Sequence, residues 1–285
     1  MELVWDVHIT MKECAPISVV IPAFNSAPTI LRTLTTVALQ SLAPLEIIVV
    51  DDHSTDETVN IVQLFAKQSN IDTRIITMTE NSGAGTARNV GWSMANGEFI
   101  AFLDADDLWH PQKLEIQYDF LRKNPQLAMS CHDRTVTESD HWEYVEADTI
   151  AVSKYSLRHF LVRNRCATPT VMVRSSLQQR FEDKKRYAED YLLWLTICSH
   201  YGSIQFLHIS LTHCSNPIYG GKGLSGGFGN MQRGESAAFI SLFRSGAMNL
   251  PTLLAAISWS YIKFLIRVFD YHILGGMRQT VSESK

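Results

Sequence analysis

The sequence feature that most restricts the fold is the alternation, over residues 17–103, of short apolar runs with segments of helical periodicity. The apolar runs are rich in Val and Ile and lack alternating polar positions, which is typical of parallel strands covered on both faces. Ser54 and Glu57 have capping-box spacing and predict the start of a helix that runs to about Ser69. We predict strands at residues 17–21, 45–50, 73–79 and 98–103, and helices at residues 29–40, 54–69 and 86–95. The predicted class is α/β, with a Rossmann-like, doubly wound and mostly parallel sheet flanked by helices.

Polar residues follow each predicted strand. They are Asn25 after the first strand, Asp51 and Asp52 after the second, Asn81 after the third, and Asp104, Asp106 and Asp107 after the fourth. Any one of them could be a helix cap or a turn residue, because Asn and Asp favour both positions. Together they lie where the carboxyl ends of parallel strands meet, which is where open α/β sheets bind ligands. The pattern therefore indicates a polar ligand site at this edge of the sheet.

Composition argues against several other classes of protein. The formal net charge of -4 provides no broad basic surface, so we do not expect nucleic-acid binding. The five cysteines are scattered and form no C-x-x-C pair, so we expect reduced, mostly buried thiols in a cytosolic protein. Residues 1–16 contain no continuous apolar stretch and do not resemble a signal peptide.

Four motifs follow one another along the first half of the chain: Val20-Ile-Pro-Ala-Phe-Asn25, Val50-Asp-Asp-His-Ser-Thr-Asp56, Asn81-Ser-Gly-Ala-Gly-Thr-Ala-Arg-Asn-Val-Gly91 and Phe102-Leu-Asp-Ala-Asp-Asp107. In this order they resemble the family 2 glycosyltransferases of GT-A fold, of the type that acts in bacterial surface polysaccharide biosynthesis. The resemblance implies a glycosyltransferase domain at residues 17–230, in which residues 17–125 bind a nucleoside diphosphate sugar and residues 126–230 shape the acceptor site. Residues 1–16 are then an N-terminal extension, and residues 231–285 are a C-terminal helical extension. The donor-binding residues implied by the resemblance are Pro22, Phe24, Asn25, Asp52, Asn81, Gly83, Arg88 and Asp104.

The carboxylates of Asp104 and Asp106 follow one strand and can point into one cleft. Two such charges about 4 Å apart repel each other by roughly 4 kcal/mol at an effective dielectric constant of about 20, so a cation, a shared proton or solvent must offset the repulsion. A divalent cation fits best, and hard oxygen ligands favour Mn²⁺ or Mg²⁺. The pair also resembles the D-x-D metal motif of the family, which implies that Asp106 is the more certain ligand. Asp107 is expected to support the loop or to cap a helix that begins near Pro111.

The resemblance aligns Asp52 with the family carboxylate that accepts a hydrogen bond from the nucleobase, and a UDP-sugar is the favoured donor. The family usually has glycine where this chain has His53, for which we expect a turn or packing role. Gly83 and Gly85 allow a ligand to approach the backbone, but Arg88 occupies the place of the third glycine of a dinucleotide-binding loop, which argues against an oxidoreductase. We expect Arg88 to contact the donor diphosphate, with a salt bridge to an aspartate of the cleft as the alternative.

Tyr187-Ala-Glu189-Asp190 leads into a predicted helix at residues 191–200 and resembles the E-D motif of the family. By that resemblance Asp190 is the catalytic base, which takes the proton of an acceptor hydroxyl while this hydroxyl displaces the diphosphate with inversion. Glu189 is expected on the acceptor side, where it orients either a hydroxyl or a loop. An acidic pair at a helix start also suits the helix dipole, so a structural role is the alternative.

Two other functions stay open beside an inverting, metal-dependent transferase that moves a sugar to a hydroxyl of a glycan acceptor. One is a nucleotide-sugar-binding protein without catalysis, and the presence of both the D-x-D pair and Asp190 argues against it. The other is a nucleotidyltransferase, which would normally carry a basic, glycine-rich loop after the first strand. Residues 22–25 form no such loop.

The C-terminal sequence suggests that the protein associates with a membrane. Residues 216–229 are rich in glycine and predict either a mobile loop that closes over the donor or a linker. Residues 250–274 are rich in large apolar residues but contain Lys263 and Arg267 one turn apart, which favours an amphipathic helix in the membrane interface over a spanning one. Packing against the domain or a second subunit is the alternative. We expect a cytoplasmic protein, peripheral on the inner face of the cytoplasmic membrane, that acts on a glycan or polyprenyl-diphosphate-linked acceptor.

Overall fold

A computed structural model describes residues 13–136, 142–215 and 228–282, with the side chains of the last range described for residues 229–269. The strands of these residues are β1 (Cys14–Ala23), β2 (Ala43–Asp51), β3 (Asp72–Thr77), β4 (Phe99–Phe102), β5 (Leu108–Trp109), β6 (Met129–Thr135), β7 (Val152–Tyr155), β8 (Met172–Arg174) and β9 (Ile204–His213). The helices are α1 (Ile30–Ala38), α2 (Thr58–Gln68), α3 (Ala84–Ser93), α4 (Lys113–Lys123), α5 (Leu157–Val162), α6 (Glu189–Tyr201), α7 (Phe228–Arg244) and α8 (Leu250–Ser282).

All described strands belong to one sheet, in the order β3-β2-β1-β4-β8-β6-β9-β5, with β7 paired to β9. The strands β1 to β4 pair in parallel, as expected for strands that are separated by helices. The second half of the sheet is mixed, because β8 is antiparallel to both of its neighbours while β6 and β9 are parallel. The predicted α/β class is confirmed, and the continuous parallel pairing lies in the first half of the chain.

Helices cover both faces of the sheet, because successive side chains of a strand point to opposite sides. One core cluster contains Val19 of β1 together with residues of α1, α2 and α4, among them Leu34 and Leu114. The other contains Val20 together with residues of α3, α5, α6, α7 and α8, among them Trp194 and Phe239. The near-continuous apolar sequence of β1 thus reflects a strand that is buried on both faces.

The start of α2 differs from the prediction. The helix begins at Thr58, and the capping box at Ser54 and Glu57 does not form. Ser54 Oγ instead accepts the backbone N–H of Asn25 at 2.9 Å, which ties the loop after β2 to the loop after β1. Asp56 Oδ1 accepts the backbone N–H of Thr58 at 3.1 Å. The Ser54 hydroxyl, which the sequence spacing predicts to cap a helix, therefore holds the loops after β1 and β2 together.

The expectation of five reduced thiols is wrong for Cys131 and Cys166, which form a disulfide. Cys131 lies in β6 and Cys166 precedes the short 3-10 turn at residues 168–170, and the fold brings their Cα atoms to 5.9 Å, a normal separation for a disulfide. Among the other three cysteines, Cys198 and Cys214 are buried and Cys14 is exposed.

The helices α7 and α8 are packed against each other through polar contacts. Gln232 Nε2 of α7 donates to Ser260 Oγ of α8 at 2.9 Å, and both side chains are buried. Glu235 accepts a hydrogen bond from Lys263 Nζ at 2.6 Å and lies 3.9 Å from a terminal guanidinium nitrogen of Arg267. Lys263 and Arg267 thus form ion pairs across the contact between α7 and α8, as the alternative of packing against the domain predicts, and a position at lipid headgroups stays a prediction.

The outer side of α8 carries large apolar side chains. Leu250–Phe269 is long and apolar enough to span a membrane by length and composition alone. The exposed large apolar residues of this stretch are Leu250, Leu254, Trp259, Tyr261, Ile262, Leu265, Ile266 and Phe269, which we call the outer face of α8. Of the predicted glycine-rich loop, residues 216–227 lie outside the described residues, and Phe228 begins α7.

Candidate active site

A cavity of about 650 Å³ opens at the carboxyl edge of the sheet, between the loops that follow β1 and β4 and the beginning of α6. This is the edge at which the sequence predicted a ligand site. Of the predicted site residues, the cavity is lined by Pro22, Phe24, Asn25, Arg88, Asp104, Asp106, Glu189 and Asp190. Asp52, Asn81 and Gly83 are not among its lining residues.

The loop after β1 is held in an unusual conformation. Asn25 has a φ of 48°, in the left-handed region that residues other than glycine seldom adopt. Its side-chain Oδ1 accepts the backbone N–H of Thr55 at 2.9 Å, which adds a second link between the loops after β1 and β2. Phe24 is about half exposed, at 49%, and lines the cavity. The loop thus presents an aromatic face to whatever binds there.

Asp52 organises the entry to α3. Its buried carboxylate accepts the backbone N–H groups of Ser82 at 2.7 Å and Gly83 at 2.8 Å, and its backbone oxygen accepts Asn81 Nδ2 at 3.2 Å. Gly83 has a φ of 92°, which explains why glycine stands at this position. Asp52 and Asn81 therefore fix the loop beside the cavity, and their predicted contacts with a donor stay predictions.

His53 occupies a turn that favours glycine. It is exposed and has a φ of 67°, again in the left-handed region. This explains the glycine that is usual in the family at this position and supports a turn role for the histidine.

Arg88 is the central cation of the site and is buried. Its guanidinium donates to Asp104 Oδ1 at 2.6 Å and to Glu189 Oε1 at 3.5 Å. Burial alone would lower the pKa of Arg88, but the carboxylates of Asp104 and Glu189 outweigh it and raise that pKa. Of the two expectations for this residue, the salt bridge to an aspartate of the cleft is present. Arg88 joins the donor half of the chain to the beginning of α6.

Three carboxyl groups lie together on the loop between β4 and β5. Asp104 and Asp106 are half-buried and line the cavity, while Asp107 is buried and its Oδ1 accepts the backbone N–H of Ser215 at 3.0 Å. Burial and then the charges of Asp104 and Asp106 raise the pKa of Asp107 to about 8. Asp107 supports the loop, which is one of its two expected roles, and α4 begins too far along the chain, at Lys113, for Asp107 to cap it.

The chemistry of this loop fits a divalent cation. Burial is the largest cause of the raised pKa of Asp107, and the charges of Asp104 and Asp106 add a repulsion that a bound cation would relieve. Mg²⁺ and similar ions are commonly held by one or two carboxylates, with water and substrate phosphates as the remaining ligands. Among the residues that the structure describes, no group of three or more His, Cys, Asp or Glu side chains is arranged to hold a metal by itself. Asp104 and Asp106 would therefore share the ion with the substrate.

Asp190 lies in the first turn of α6, two residues after Ala188, which has a φ of 57°. Its Oδ2 accepts a hydrogen bond from Thr168 Oγ1 at 3.4 Å, and its Oδ1 accepts the backbone N–H of Tyr191 at 2.6 Å. Loss of solvent around the carboxyl group raises the pKa of Asp190 to about 7, with a further rise from Glu189 and an opposing effect from Arg88. A carboxyl group with such a pKa can accept a proton near neutral pH.

Gly85 permits the close approach of α3 to α6. A Cβ atom at this position would lie 3.0 Å from Glu189 Cγ and 3.4 Å from Phe181 Cβ. The Arg88–Glu189 pair therefore depends on a glycine one turn earlier in α3. The sequence suggested close approach of a ligand here, whereas the structure shows close approach of another helix.

Several residues that line the cavity were missed by the sequence analysis. They are Arg134, Thr168, Arg186, Cys214 and Met231, all from the second half of the chain. No motif or spacing singles them out, because they reach the cavity through strand pairing and helix packing over long sequence distances. Arg186 also donates to Asn81 Oδ1 at 2.9 Å, which joins the second half of the chain to the loop before α3.

A parallel half-sheet with a carboxylate cluster at its carboxyl edge, extended by a mixed half-sheet, defines a glycosyltransferase of GT-A fold. The sequence matches the family model "Glycosyl transferase family 2" over residues 18–181, which is more than half of the chain. The chain belongs to this family.

A curated relative supports this assignment, and two solved structures share the fold. The chain is 32% identical over 183 residues to UDP-Glc:alpha-D-GlcNAc-diphosphoundecaprenol beta-1,3-glucosyltransferase WfgD of Escherichia coli, with 64% of this chain and 69% of that protein covered. S. aureus TarS 1-349 in complex with UDP-GlcNAc has a TM-score of 0.66 at 21% identity, covering 92% of this chain and 73% of that one. The mannosyltransferase PcManGT from Pyrobaculum calidifontis, in complex with GDP-Man and Mn²⁺, has a TM-score of 0.64 at 19% identity, covering 90% and 76%. At these identities the two structures are evidence of the shared fold.

Proposed function

We propose that this glycosyltransferase moves a sugar from a UDP-sugar to a hydroxyl of a glycan acceptor with inversion at the anomeric carbon. The observation that carries the proposal is the carboxyl group of Asp190, which lines the same cavity as Asp104 and Asp106 and has a pKa raised to about 7. The acceptor hydroxyl gives its proton to Asp190 while its oxygen bonds to the anomeric carbon and the bond to the diphosphate breaks. One displacement of this kind inverts the anomeric configuration.

The donor occupies the part of the cavity formed by the loops after β1 and β4. Pro22, Phe24 and Asn25 contact the nucleoside, and Asp52 with the Asn81–Gly83 loop shapes the pocket for the base. The aromatic surface of Phe24 suits the stacking of a nucleobase of any kind. The UDP-linked sugars in the names of WfgD and the TarS complex support uracil as that base. In this arrangement Glu189 lies on the acceptor side.

Asp104 and Asp106 would hold Mn²⁺ or Mg²⁺, which when bound stabilises negative charge on the departing nucleoside diphosphate. The complex of PcManGT with GDP-Man and Mn²⁺ supports this assignment. Arg88 orients Asp104 toward the ion and Glu189 toward the acceptor, since it donates to both carboxylates. Arg88 is thus a positioning residue.

The first test is a thermal-shift panel with UDP, dTDP, GDP and CDP, each with Mn²⁺ and with a chelator. A ligand that binds only the folded protein, at about 100 times its Kd, stabilises it by about 2.7 kcal/mol. We expect UDP with Mn²⁺ to give the largest shift and the chelator to reduce it. No response to any nucleotide in the presence of metal would contradict the proposal.

Binding alone would also occur in a nucleotide-sugar-binding protein without catalysis. A transfer assay separates the two functions: the active enzyme releases UDP only in the presence of an acceptor and forms a new glycosidic bond of inverted configuration. A nucleotidyltransferase would instead release inorganic diphosphate from a nucleoside triphosphate. The products therefore decide among the three functions.

The acceptor in this proposal is lipid-linked, with a sugar on a polyprenyl diphosphate, as part of surface polysaccharide synthesis. The name of WfgD specifies a diphosphoundecaprenol acceptor, and this supports the assignment for a chain that is 32% identical. Such an acceptor has its hydrocarbon tail in a membrane. We therefore also propose that the enzyme is cytoplasmic and binds the inner face of the cytoplasmic membrane peripherally.

The outer face of α8 supports membrane binding. Its apolar residues are exposed by about 40% to 64%, and the two cations of this stretch turn inward to Glu235. Burial of apolar surface contributes about 25 cal/mol per Å², so several such side chains suffice for reversible attachment. Met231, one position before Gln232 of the α7–α8 contact, lines the cavity, so the contact between α7 and α8 adjoins the site.

Sedimentation with vesicles of phosphatidylethanolamine and phosphatidylglycerol tests this surface. We expect the wild type to pellet with vesicles, Leu265→Glu to stay largely in the supernatant, and Leu64→Glu, at an equally exposed leucine of α2, to behave like the wild type. Equal pelleting of Leu265→Glu and Leu64→Glu would contradict membrane binding through α8. A change from dimer to monomer in Leu265→Glu, without any vesicle binding by the wild type, would assign the face to a second copy.

A further inference from the structure

Arg134 is a cation of the cavity that the mechanism above does not use. It lies near the end of β6, opposite Thr212 of β9, and its half-buried side chain lines the cavity. In the described residues its guanidinium forms no salt bridge, and its hydrogen bond runs from a terminal nitrogen to Cys214 Sγ at 3.9 Å. A thiol is a weak acceptor, so most of the five guanidinium N–H donors stay available.

The other arginines of the site differ from Arg134 in this respect. Arg88 is engaged by two carboxylates, and Arg186 donates to the amide oxygen of Asn81. Two carboxyl groups that line the same cavity also have partners, since Asp104 accepts from Arg88 and Asp107 accepts from Ser215. Among the residues that the structure describes, the Arg134 guanidinium therefore has no carboxylate partner, although the cleft is rich in carboxylates.

Arg134 lies beside the D-x-D loop. The backbone N–H of Cys214 donates to the oxygen of Thr135 at 2.9 Å, so the end of β9 follows the end of β6. The next residue, Ser215, binds the loop twice: its N–H donates to Asp107 Oδ1, and its hydroxyl donates to the backbone oxygen of Asp106. The segment Cys214–Ser215 thereby connects the Arg134 guanidinium, which donates to Cys214 Sγ, with the D-x-D loop.

We propose that Arg134 is a phosphate-binding residue, which donates to the diphosphate oxygens of a substrate in this cavity. A planar guanidinium with free donors matches pairs of phosphate oxygens and binds them through charge-assisted hydrogen bonds. The inference rests on the proposed function, in which two substrates carry a diphosphate: the donor nucleotide and the lipid-linked acceptor. On the donor, the contact would stabilise the charge left on the leaving group.

The test is the binding of UDP, UMP and uridine, with Mg²⁺ present, by the wild type, Arg134→Gln and Arg134→Lys. If the donor is the partner, Arg134→Gln weakens UDP binding roughly 10- to 100-fold, as expected for hydrogen bonds to a charged group, and leaves uridine binding unchanged. Arg134→Lys keeps the charge without the planar fork and should give an intermediate loss. Arg122→Gln is the control, because Arg122 pairs with Asp119 on the exposed side of α4.

A second arm measures KM for a polyprenyl-diphosphate acceptor and for an acceptor sugar without diphosphate. Unchanged UDP binding with a 10- to 100-fold rise in KM for the first acceptor alone assigns Arg134 to the acceptor diphosphate. If UDP affinity and both KM values match the wild type, Arg134 is not a phosphate-binding residue. If the wild type binds no nucleoside diphosphate at all, the proposed function is wrong, and so is the role of Arg134 that depends on it.

Discussion

The pKa of the base should respond in opposite directions to its two charged neighbours. The pKa of Asp190 is raised by loss of solvent and by the Glu189 carboxylate, and it is lowered by the Arg88 guanidinium. Replacing Arg88 with Met removes the favourable charge, so the pKa of Asp190 should rise further. Glu189→Gln removes the unfavourable charge with almost no change of shape, so the pKa should fall.

The size of each shift follows from Coulomb's law. Unit charges about 6 to 8 Å apart at an effective dielectric constant of about 20 interact by roughly 2 to 3 kcal/mol, and one pKa unit corresponds to about 1.36 kcal/mol. Solvent in the open cavity screens part of this, so we expect a shift of about one unit in each variant. Because the base acts when it is unprotonated, the rate of the wild type should fall as the pH drops through about 7.

The assay is the pH dependence of kcat at saturating donor and metal. The acid limb of the profile of kcat against pH should shift to higher pH by about one unit in Arg88→Met and to lower pH by about one unit in Glu189→Gln. Arg88→Met also removes a buried partner of two carboxylates and costs several kcal/mol of stability, so its thermal midpoint is measured first. If it does not fold, Glu189→Gln still tests the reasoning. If the acid limbs of the two variants shift in the same direction, or if neither shifts, Asp190 is not the titrating base.

Three further outcomes are expected. Asp190→Asn should lower kcat roughly 10²- to 10⁴-fold while UDP binding persists, and a rate near that of the wild type would show that Asp190 is not the base. Gly91→Ala should cost about 1 to 3 kcal/mol in thermal unfolding, because its Cβ would lie 2.5 Å from Val20 Cγ1. Gly229→Ala, whose Cβ would meet no atom of the described residues within 4 Å, should cost nothing, and equal losses in both would contradict the packing argument. Glu235→Gln should lower stability by about 1 to 3 kcal/mol, since Lys263 and Arg267 lose the carboxylate charge of Glu235 while largely shielded; an unchanged midpoint would show that these two ion pairs contribute nothing.

The sequence by itself determined the architecture of the first half and the position of the site. Each element there has a local sequence signal. Parallel strands that are buried on both faces contain continuous runs of Val and Ile, and helices show the helical spacing of apolar residues. The carboxyl ends of parallel strands lie at one edge of the sheet, which places the site. Asp104 and Asp106 follow a strand within a few residues, so their proximity is fixed by local geometry. The family assignment follows from motifs of the same local kind.

The tertiary structure alone decided which groups are paired. Arg88 and Glu189 are separated by 101 positions in sequence, and they meet because α3 and α6 approach each other at Gly85. Lys263 and Arg267 of α8 have a spacing typical of an interfacial helix, yet both lie within ion-pair distance of Glu235 in α7. Arg134 carries no motif and reaches the cavity through the pairing of β6 with β9. The local sequence determines the spacing of apolar residues and the chemical groups of a segment. The partner of a charged side chain depends instead on which distant segment packs against it.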